Sequence, residues 1–141
     1  MSGAAPARLP AWPEGTAAVL TTTGAGGAPH AIPVSTALRA GPSTIVLGLG
    51  RRRTSLANLR ARPRVSVCVL AENVAFTADG EATVVAEEAA GVVAVRIAVT
   101  RVHDHTQPAF SLEAGVAWRW TDAEAEARDV AVRDALRALL A

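Results

Sequence analysis

The sequence has little of what several common classes of protein require. It contains one cysteine, Cys68, so it can form no internal disulfide. None of its apolar runs approaches the ~20 residues that a membrane-spanning helix needs. Lysine is absent and 14 arginines face 13 acids, so the net charge of +1 argues against a broad nucleic-acid surface. Residues 1–13 lack the apolar middle of a signal peptide, so we expect a cytoplasmic protein that binds neither nucleic acid nor membrane.

The chain does have a large apolar fraction on a short length. Its 141 residues suit one domain, and half of them are hydrophobic, which is enough for a sizeable core. We expect residues 1–13, which are rich in proline and alanine, to form a partly ordered arm, and residues 14–141 to form the single domain. Cys68 stands in an apolar run and is interpreted as a small buried hydrophobe.

The charges are unevenly distributed along the chain. Residues 51–64 carry six arginines and no acid, whereas residues 122–134 carry five acids. The arginine-rich stretch stands between an apolar run and a short helical pattern. Such a turn suits a phosphate, because free backbone N–H groups and the helix dipole point at the anion and guanidinium groups grip its oxygens. The alternative is a solvated basic turn at a helix start.

Most of the remaining chain predicts short β-strands separated by glycine-rich or polar turns. Pro33 cannot donate a hydrogen bond to a ladder, so its strand should lie at a sheet edge, and Asp79-Gly80 should form a bulge. The strand at 64–71 is apolar almost throughout and should be buried on both faces or form a barrel wall. The predicted strands are residues 16–23, 29–40, 44–50, 64–71, 75–86, 92–102 and 112–121.

Two helices are expected among these strands. A short helix over residues 54–61, with Thr54 or Ser55 as its N-cap, should follow the third strand. A second helix should run to about Leu140, after a capping box at Thr121-Asp122-Ala123-Glu124. So many short strands around one core predict a mainly β protein, in which six or seven antiparallel strands form a closed or partly closed barrel with flanking helices.

The order of these elements and four short motifs resemble the pyridoxamine 5′-phosphate oxidase-like family, whose members are FMN-binding split β-barrels. The junction Asn58-Leu59-Arg60-Ala61-Arg62-Pro63-Arg64-Val65 resembles the family's N-L-R-x-N-P-R-V helix-to-strand motif. The resemblance covers residues 16–86, and beyond them only the pattern of strands fits. The other motifs are Ala18-Val19-Leu20-Thr21-Thr22, Gly27-Ala28-Pro29 and the strand 32–38.

The resemblance implies a cofactor site built from the second strand, the third strand and the following turn. Gln107, in a polar loop, and Trp118, as a stacking wall, are further candidates that a partner subunit would supply. Trp118 and Trp120 either stack on the cofactor or pack in the core or a dimer interface. His103, Asp104 and His105 stand too close together to converge on a metal, so no metal site is predicted. The implied contacts are Pro33, Val34, Ser35 and Thr36 for the flavin ring, Leu47, Gly48, Leu49 and Gly50 for its floor, and Arg51, Arg53, Thr54 and Ser55 for the phosphate.

The resemblance also implies an FMN-dependent oxidoreductase that acts on a small molecule as a homodimer, with the cofactor at the subunit interface. No side chain is an evident general acid or base, so no catalytic residue is named. Many members carry a lysine where this chain has Ser55, and relatives that bind the deazaflavin F420 use an Arg/Thr/Ser cluster instead. An F420-dependent reductase on the same fold is therefore the alternative, and a flavin- or haem-binding protein without turnover, or a structural dimer without cofactor, also stays open.

Overall fold

The computed structural model describes residues 7–140, and these form one antiparallel sheet of seven strands with two α-helices. The strands pair in the order β2-β1-β5-β6-β7-β4-β3, and no ladder joins β2 to β3 within the described residues. The sheet is therefore an incompletely closed barrel, which confirms the predicted fold class. The elements are β1 (Ala18–Thr23), β2 (Pro29–Val34), β3 (Leu38–Gly41), β4 (Thr44–Leu49), α1 (Thr54–Ala61), β5 (Arg64–Ala71), β6 (Val74–Ala89), β7 (Val92–Asp104) and α2 (Ala123–Ala138).

The second predicted strand is divided into β2 and β3, which lie at opposite edges of the sheet. Residues 35–37 make the crossing, and the Oγ1 of Thr36 accepts a hydrogen bond of 3.0 Å from the backbone N–H of Gly48. Because of this division, the short helix follows the fourth strand, so its predicted place after the third strand is wrong. The position of β2 at an edge confirms the prediction made from Pro33.

The main core fills the inside of the barrel. In β5 the side chains alternate between this core and the outer surface. The outward side chains of β5 include half-buried Cys68 and Leu70, which is 44% exposed. β5 is thus a barrel wall and is not buried on both faces, and the interpretation of Cys68 as a small buried hydrophobe is wrong, because its side chain is half-buried. The inward side chains of β5 are all buried: Val65, Val67, Val69 and Ala71.

The predicted bulge at Asp79-Gly80 is present, because the register between β6 and β7 shifts there. A Cβ on Gly80 would lie 2.4 Å from the carbonyl oxygen of Ala98 on β7. The two strands approach so closely at this point that only glycine fits.

Helix α2 packs on the outside of the barrel, mainly against β4 and β6. Val132 and Leu136 belong to a second buried cluster that also includes Leu38, Val46 and Ala94. The carboxylate of Asp122 accepts a hydrogen bond of 2.9 Å from the N–H of Glu124, so Asp122 is the N-cap and Thr121 of the predicted box is not. No helix within residues 7–140 is long and apolar enough to span a membrane.

The last predicted strand, residues 112–121, does not form. This segment runs across the strand ends, where Leu112 accepts a hydrogen bond from the N–H of Asn73 and the indole of Trp118 donates one to the carbonyl of Gly15. A strand needs a sheet edge to pair with, and within residues 7–140 no ladder joins this segment to β2 or β3, the free edges of the sheet. Trp118 and Trp120 are 40% and 37% exposed and pack edge-to-face on each other, 5.2 Å apart, so they lie outside the core.

The described part of the predicted arm, residues 7–13, packs against the barrel. Leu9 is 2% exposed and belongs to the main core. The indole N–H of Trp12 donates to the carbonyl of Ala37 at 3.1 Å, and its ring lies 5.4 Å from that of Phe76. The rest of the predicted arm lies outside the described residues.

Candidate functional site

The arginine-rich turn joins β4 to α1 and leaves the start of the helix without a cap. Arg53 is the N-cap residue, and no side-chain oxygen bonds to the first turn, so the predicted N-cap roles of Thr54 and Ser55 are wrong. Both residues lie inside the helix, and their backbone N–H groups have no partner within residues 7–140. Free N–H donors and the positive end of the helix dipole together favour an anion.

Ser55 adds a second donor at the same place. Its side chain is completely buried, and its Oγ makes no hydrogen bond with any described residue. A buried hydroxyl without a partner costs about 1–3 kcal/mol, so native structures rarely retain one without a reason. Among the predicted site residues, this hydroxyl points most directly to a ligand, because a phosphate oxygen could accept its hydrogen bond.

Two arginines of the basic stretch are already paired with acids. Arg51 Nη2 lies 2.7 Å from Glu88 Oε1, and Arg60 Nη2 lies 2.7 Å from Glu87 Oε2. The hydrogen bond from Arg60 lowers the pKa of Glu87 below its ordinary value. Arg53 forms no ion pair within the described part of the chain. The local sequence shows the arginines only as a basic run. Their acidic partners, Glu87 and Glu88, lie on β6 and reach the arginines because β6 pairs with β7.

The residues predicted to contact the flavin ring lie where the chain crosses from β2 to β3. The Oγ of Ser35 donates to Asp129 Oδ1 at 2.9 Å, and Thr36 bonds to Gly48, so both hydroxyls are used within the chain. Asp129, on α2, is 7% exposed. The sequence did not predict its role, because nothing in the helical pattern around Asp129 indicates that it contacts Ser35. Pro33 is exposed. The four predicted residues are Pro33, Val34, Ser35 and Thr36.

The predicted floor of the site is formed by the end of β4. Leu47 and Leu49 are buried in the main core. A Cβ on Gly48 would lie 2.7 Å from Val92 Cγ2 and 3.0 Å from Val132 Cγ1, so side chains of this chain already approach its backbone closely. Gly50 is half-buried at the start of the arginine turn. The structure therefore brings residues 47–55 and Thr36 together.

Gln107 is not part of this group within one chain. The arginine turn adjoins the start of β7, since Leu49 pairs with Val93, whereas Gln107 follows the end of β7 at Asp104. At about 3.3 Å per residue, the length of β7 separates the two places by roughly 35 Å. Trp118 lies beside Gly15, ahead of β1.

The motif that carries the family resemblance holds α1 against β1. The Nδ2 of Asn58 donates to the Oγ1 of Thr22 at 3.1 Å, and both side chains are buried. The Nε of Arg62 donates to the carbonyl of Thr23 at 2.8 Å. These contacts position the start of the helix, so the role of Asn58 and Arg62 in the structure is to support the turn.

A polar cluster that sequence analysis missed lies on the outer face of β5, β6 and β7. Asp79 accepts from Ser66 Oγ at 2.7 Å, and its other oxygen lies 2.8 Å from His103 Nε2. Burial alone would raise the pKa of Asp79, but the hydrogen bonds with His103 and Ser66 lower it below its ordinary value. No group of three His, Cys, Asp or Glu side chains within residues 7–140 is placed to hold a metal.

An incompletely closed antiparallel barrel with a basic turn at a helix N-terminus defines a split-barrel protein. A sequence model of the family described as pyridoxamine 5′-phosphate oxidase matches residues 6–127. The chain belongs to this family, which confirms the resemblance drawn from the junction at Asn58. No curated protein matched the chain.

Solved structures share the fold at low sequence identity. HupZ of Group A Streptococcus is 15% identical, with a TM-score of 0.58 over 72% of this chain and 90% of its own. An F420 reductase is 11% identical, with a TM-score of 0.57 over 64% and 90%. An FMN-binding protein of Syntrophomonas wolfei is 11% identical, with a TM-score of 0.57 over 67% and 80%. At these identities the likeness shows the fold.

Proposed function

We propose that the protein is an FMN-binding oxidoreductase that holds the cofactor phosphate at the start of α1. The main support is the fully buried hydroxyl of Ser55, which has no partner among the described residues and adjoins free backbone N–H groups. Arg53 is exposed and not paired with an acid in residues 7–140, so its guanidinium is available to the same anion. The fold is shared with a protein named as FMN-binding.

In this proposal FMN supplies the redox chemistry and the protein binds and orients it. The hydroxyls of Thr54 and Ser55 and the backbone N–H groups of the first turn would donate to the phosphate, and Arg53 would add charge. Charge-assisted hydrogen bonds of this kind contribute about 1.5–3 kcal/mol each. No acid or base is assigned, and the substrate is a small molecule of unidentified class.

We further propose that the protein acts as a homodimer and that the flavin ring lies beside Pro33 at the subunit interface. Large apolar side chains are exposed on the outer sheet face and on the segment after β7, and exposed apolar patches mark interaction surfaces. Gln107 follows the end of β7, whereas the arginine turn adjoins its start, so in this proposal a second copy brings Gln107 to the turn. The exposed side chains are Val19, Leu70, Phe110, Val116, Trp118 and Trp120.

An F420-dependent reductase is the second candidate. It is favoured by the short side chain of Ser55, at a position where many family members carry lysine, and by the fold shared with an F420 reductase. Both cofactors carry a phosphate group, so the same turn would hold either of them.

An absorption spectrum and a set of ligand titrations test the proposal. We expect flavin bands in the purified protein, or FMN binding at least tenfold tighter than that of riboflavin, which lacks the phosphate. A colourless protein that binds F420 but not FMN would contradict the first candidate and support the second. Bound flavin that no nicotinamide donor reduces would favour a carrier, and a monomer by sedimentation would contradict the dimer.

A further inference from the structure

The hairpin between β6 and β7 places one carboxylate on the arginine turn and a second on the last turn of α1. Glu88 contacts Arg51 and Glu87 contacts Arg60, each at 2.7 Å. The two pairs flank a groove of about 420 Å³ between α1 and the hairpin, lined by Arg51, Leu56, Ala57, Arg60, Glu87 and Val93.

The position of Glu88 is fixed by the hairpin itself. Its Oε2 accepts a hydrogen bond of 3.0 Å from the N–H of Gly91, while its Oε1 holds Arg51. The turn requires Ala90 and Gly91 at positive φ, 51° and 91°, so the hairpin has a defined geometry at this point. Glu87, in contrast, makes no side-chain contact among the described residues other than that with Arg60.

We propose that Glu87 and Glu88 make the anion site favour a phosphate monoester over a terminal diphosphate, an inference that rests on the phosphate site proposed above. The arginines at positions 51, 52, 53 and 60 supply four positive charges, and the two carboxylates neutralise two of them. The remaining charge matches one phosphate monoester, which carries about −1.5 to −2 at pH 7. Inorganic pyrophosphate, like a terminal diphosphate, ionises further than a phosphate monoester at pH 7 and so carries more charge than this turn can neutralise.

The two ion pairs are weak, so substituting their acids should change the net charge of the anion site without destabilising the fold. The four side chains are between 43% and 67% exposed, and ion pairs at such exposure contribute little because solvent screens them. Replacing both acids would free Arg51 and Arg60 without disturbing the core. The gain in binding should therefore be larger for pyrophosphate than for phosphate.

Calorimetric titration with inorganic phosphate and inorganic pyrophosphate tests the inference. In Glu87→Gln/Glu88→Gln we expect pyrophosphate to bind roughly three- to tenfold tighter than in the wild type, and phosphate to gain less. The gain should disappear at about 1 M salt, where the screening length is about 3 Å. Glu126→Gln is the matched control, because it removes the same charge from the exposed face of α2, and it should leave both affinities unchanged.

Glutamine at 88 keeps a carbonyl oxygen for Gly91, and Glu87→Gln alone leaves the hairpin contacts intact, so at least this single variant should fold and show part of the gain. Unchanged pyrophosphate affinity in both variants, or an equal gain in Glu126→Gln, would overturn the inference. A wild type that ignores FMN while the double variant gains pyrophosphate affinity would reject FMN and keep the inference. If the wild type binds FMN and neither variant gains pyrophosphate affinity, FMN binding is supported and the inference about Glu87 and Glu88 is rejected.

Discussion

The amide nitrogen of Asn58 donates a hydrogen bond of 3.1 Å to the hydroxyl of Thr22, and the two side chains are 6% and 1% exposed. This buried bond joins α1 to β1. It therefore sets where the first turn of α1 lies relative to the arginine turn that precedes it. The family motif at Asn58 therefore contributes to the site indirectly, because it positions helix α1.

Removing this bond should destabilise the fold. Asn58→Ala leaves the Thr22 hydroxyl buried without a donor, so we expect the free energy of unfolding to fall by about 1–3 kcal/mol. Urea denaturation of the wild type, Asn58→Ala, Thr22→Val and the double variant forms a double-mutant cycle. Strictly additive losses would show that the two side chains are not coupled.

Ser55→Ala should separate stability from binding. Because the Ser55 hydroxyl has no partner in residues 7–140, its removal should leave the stability of the cofactor-free protein unchanged or raise it. The same substitution should weaken FMN binding by about tenfold, the equivalent of one hydrogen bond to a charged group. Exposed Ser111 provides the control Ser111→Ala, which should alter neither. A stability loss in Ser55→Ala would mean that the hydroxyl has a structural partner.

Arg53→Ala combined with Thr54→Ala should weaken FMN binding by at least tenfold. Each charge-assisted contact with a phosphate contributes about 1.5–3 kcal/mol, and both side chains are exposed, so the fold should be unaffected. Fluorescence titration with FMN measures the dissociation constant, with Arg128→Ala as a variant that removes an exposed arginine from α2. If the double variant binds FMN as the wild type does, the phosphate lies elsewhere.

Asp79 should make stability depend on pH in the acid range. Hydrogen bonds with His103 and Ser66 outweigh the opposing effect of burial and hold the pKa of Asp79 below its ordinary value of 3.8. A carboxyl with a lowered folded-state pKa stabilises the protein above its unfolded pKa and loses this contribution as pH falls through the folded value. The stability difference between wild type and Asp79→Asn should thus be full above about pH 5 and shrink below about pH 4. Since the Asp79 side chain is 39% exposed, we expect less than about 1 kcal/mol. Urea denaturation across this pH range measures it, and a constant difference would contradict the prediction.

Gly48→Ala tests the packing of α2 on β4. The new methyl group would lie 2.7 Å from Val92 Cγ2 and 3.0 Å from Val132 Cγ1, so we expect a loss of about 1–3 kcal/mol from overpacking. Val132→Ala removes one of these contacts. Thermal and urea unfolding should show the double variant to be more stable than the sum of the single losses predicts, whereas simple additivity would place α2 away from Gly48.

Local patterns were sufficient for elements whose signals lie within a few residues. The helix at 54–61 and the strand at 64–71 have the predicted bounds, because Pro63 separates a helical spacing from an apolar run. Pro33 correctly predicted a sheet edge, since a residue without an N–H cannot complete a central ladder.

Local patterns gave wrong predictions where the secondary structure of a segment depends on which other strands lie beside it. Residues 112–121 have strand-like composition, but their path crosses strand ends and offers no edge to pair with. The second predicted strand reads as continuous, yet the curl of the sheet makes residues 35–37 cross from one edge to the other. Neither outcome is visible in a window of ten residues, because both depend on contacts between distant parts of the chain.

The amino-acid sequence by itself determined that this is a split β-barrel of the pyridoxamine 5′-phosphate oxidase family with an arginine-rich turn at a helix start. Only the tertiary structure decided the charge of that turn, because Glu87 and Glu88 approach it through the pairing of β6 with β7. It also decided that the hydroxyl of Ser55 is buried without a partner while that of Ser35 is held by Asp129. Charge and burial at a site depend on which distant residues the fold brings together, and local spacing carries no record of them.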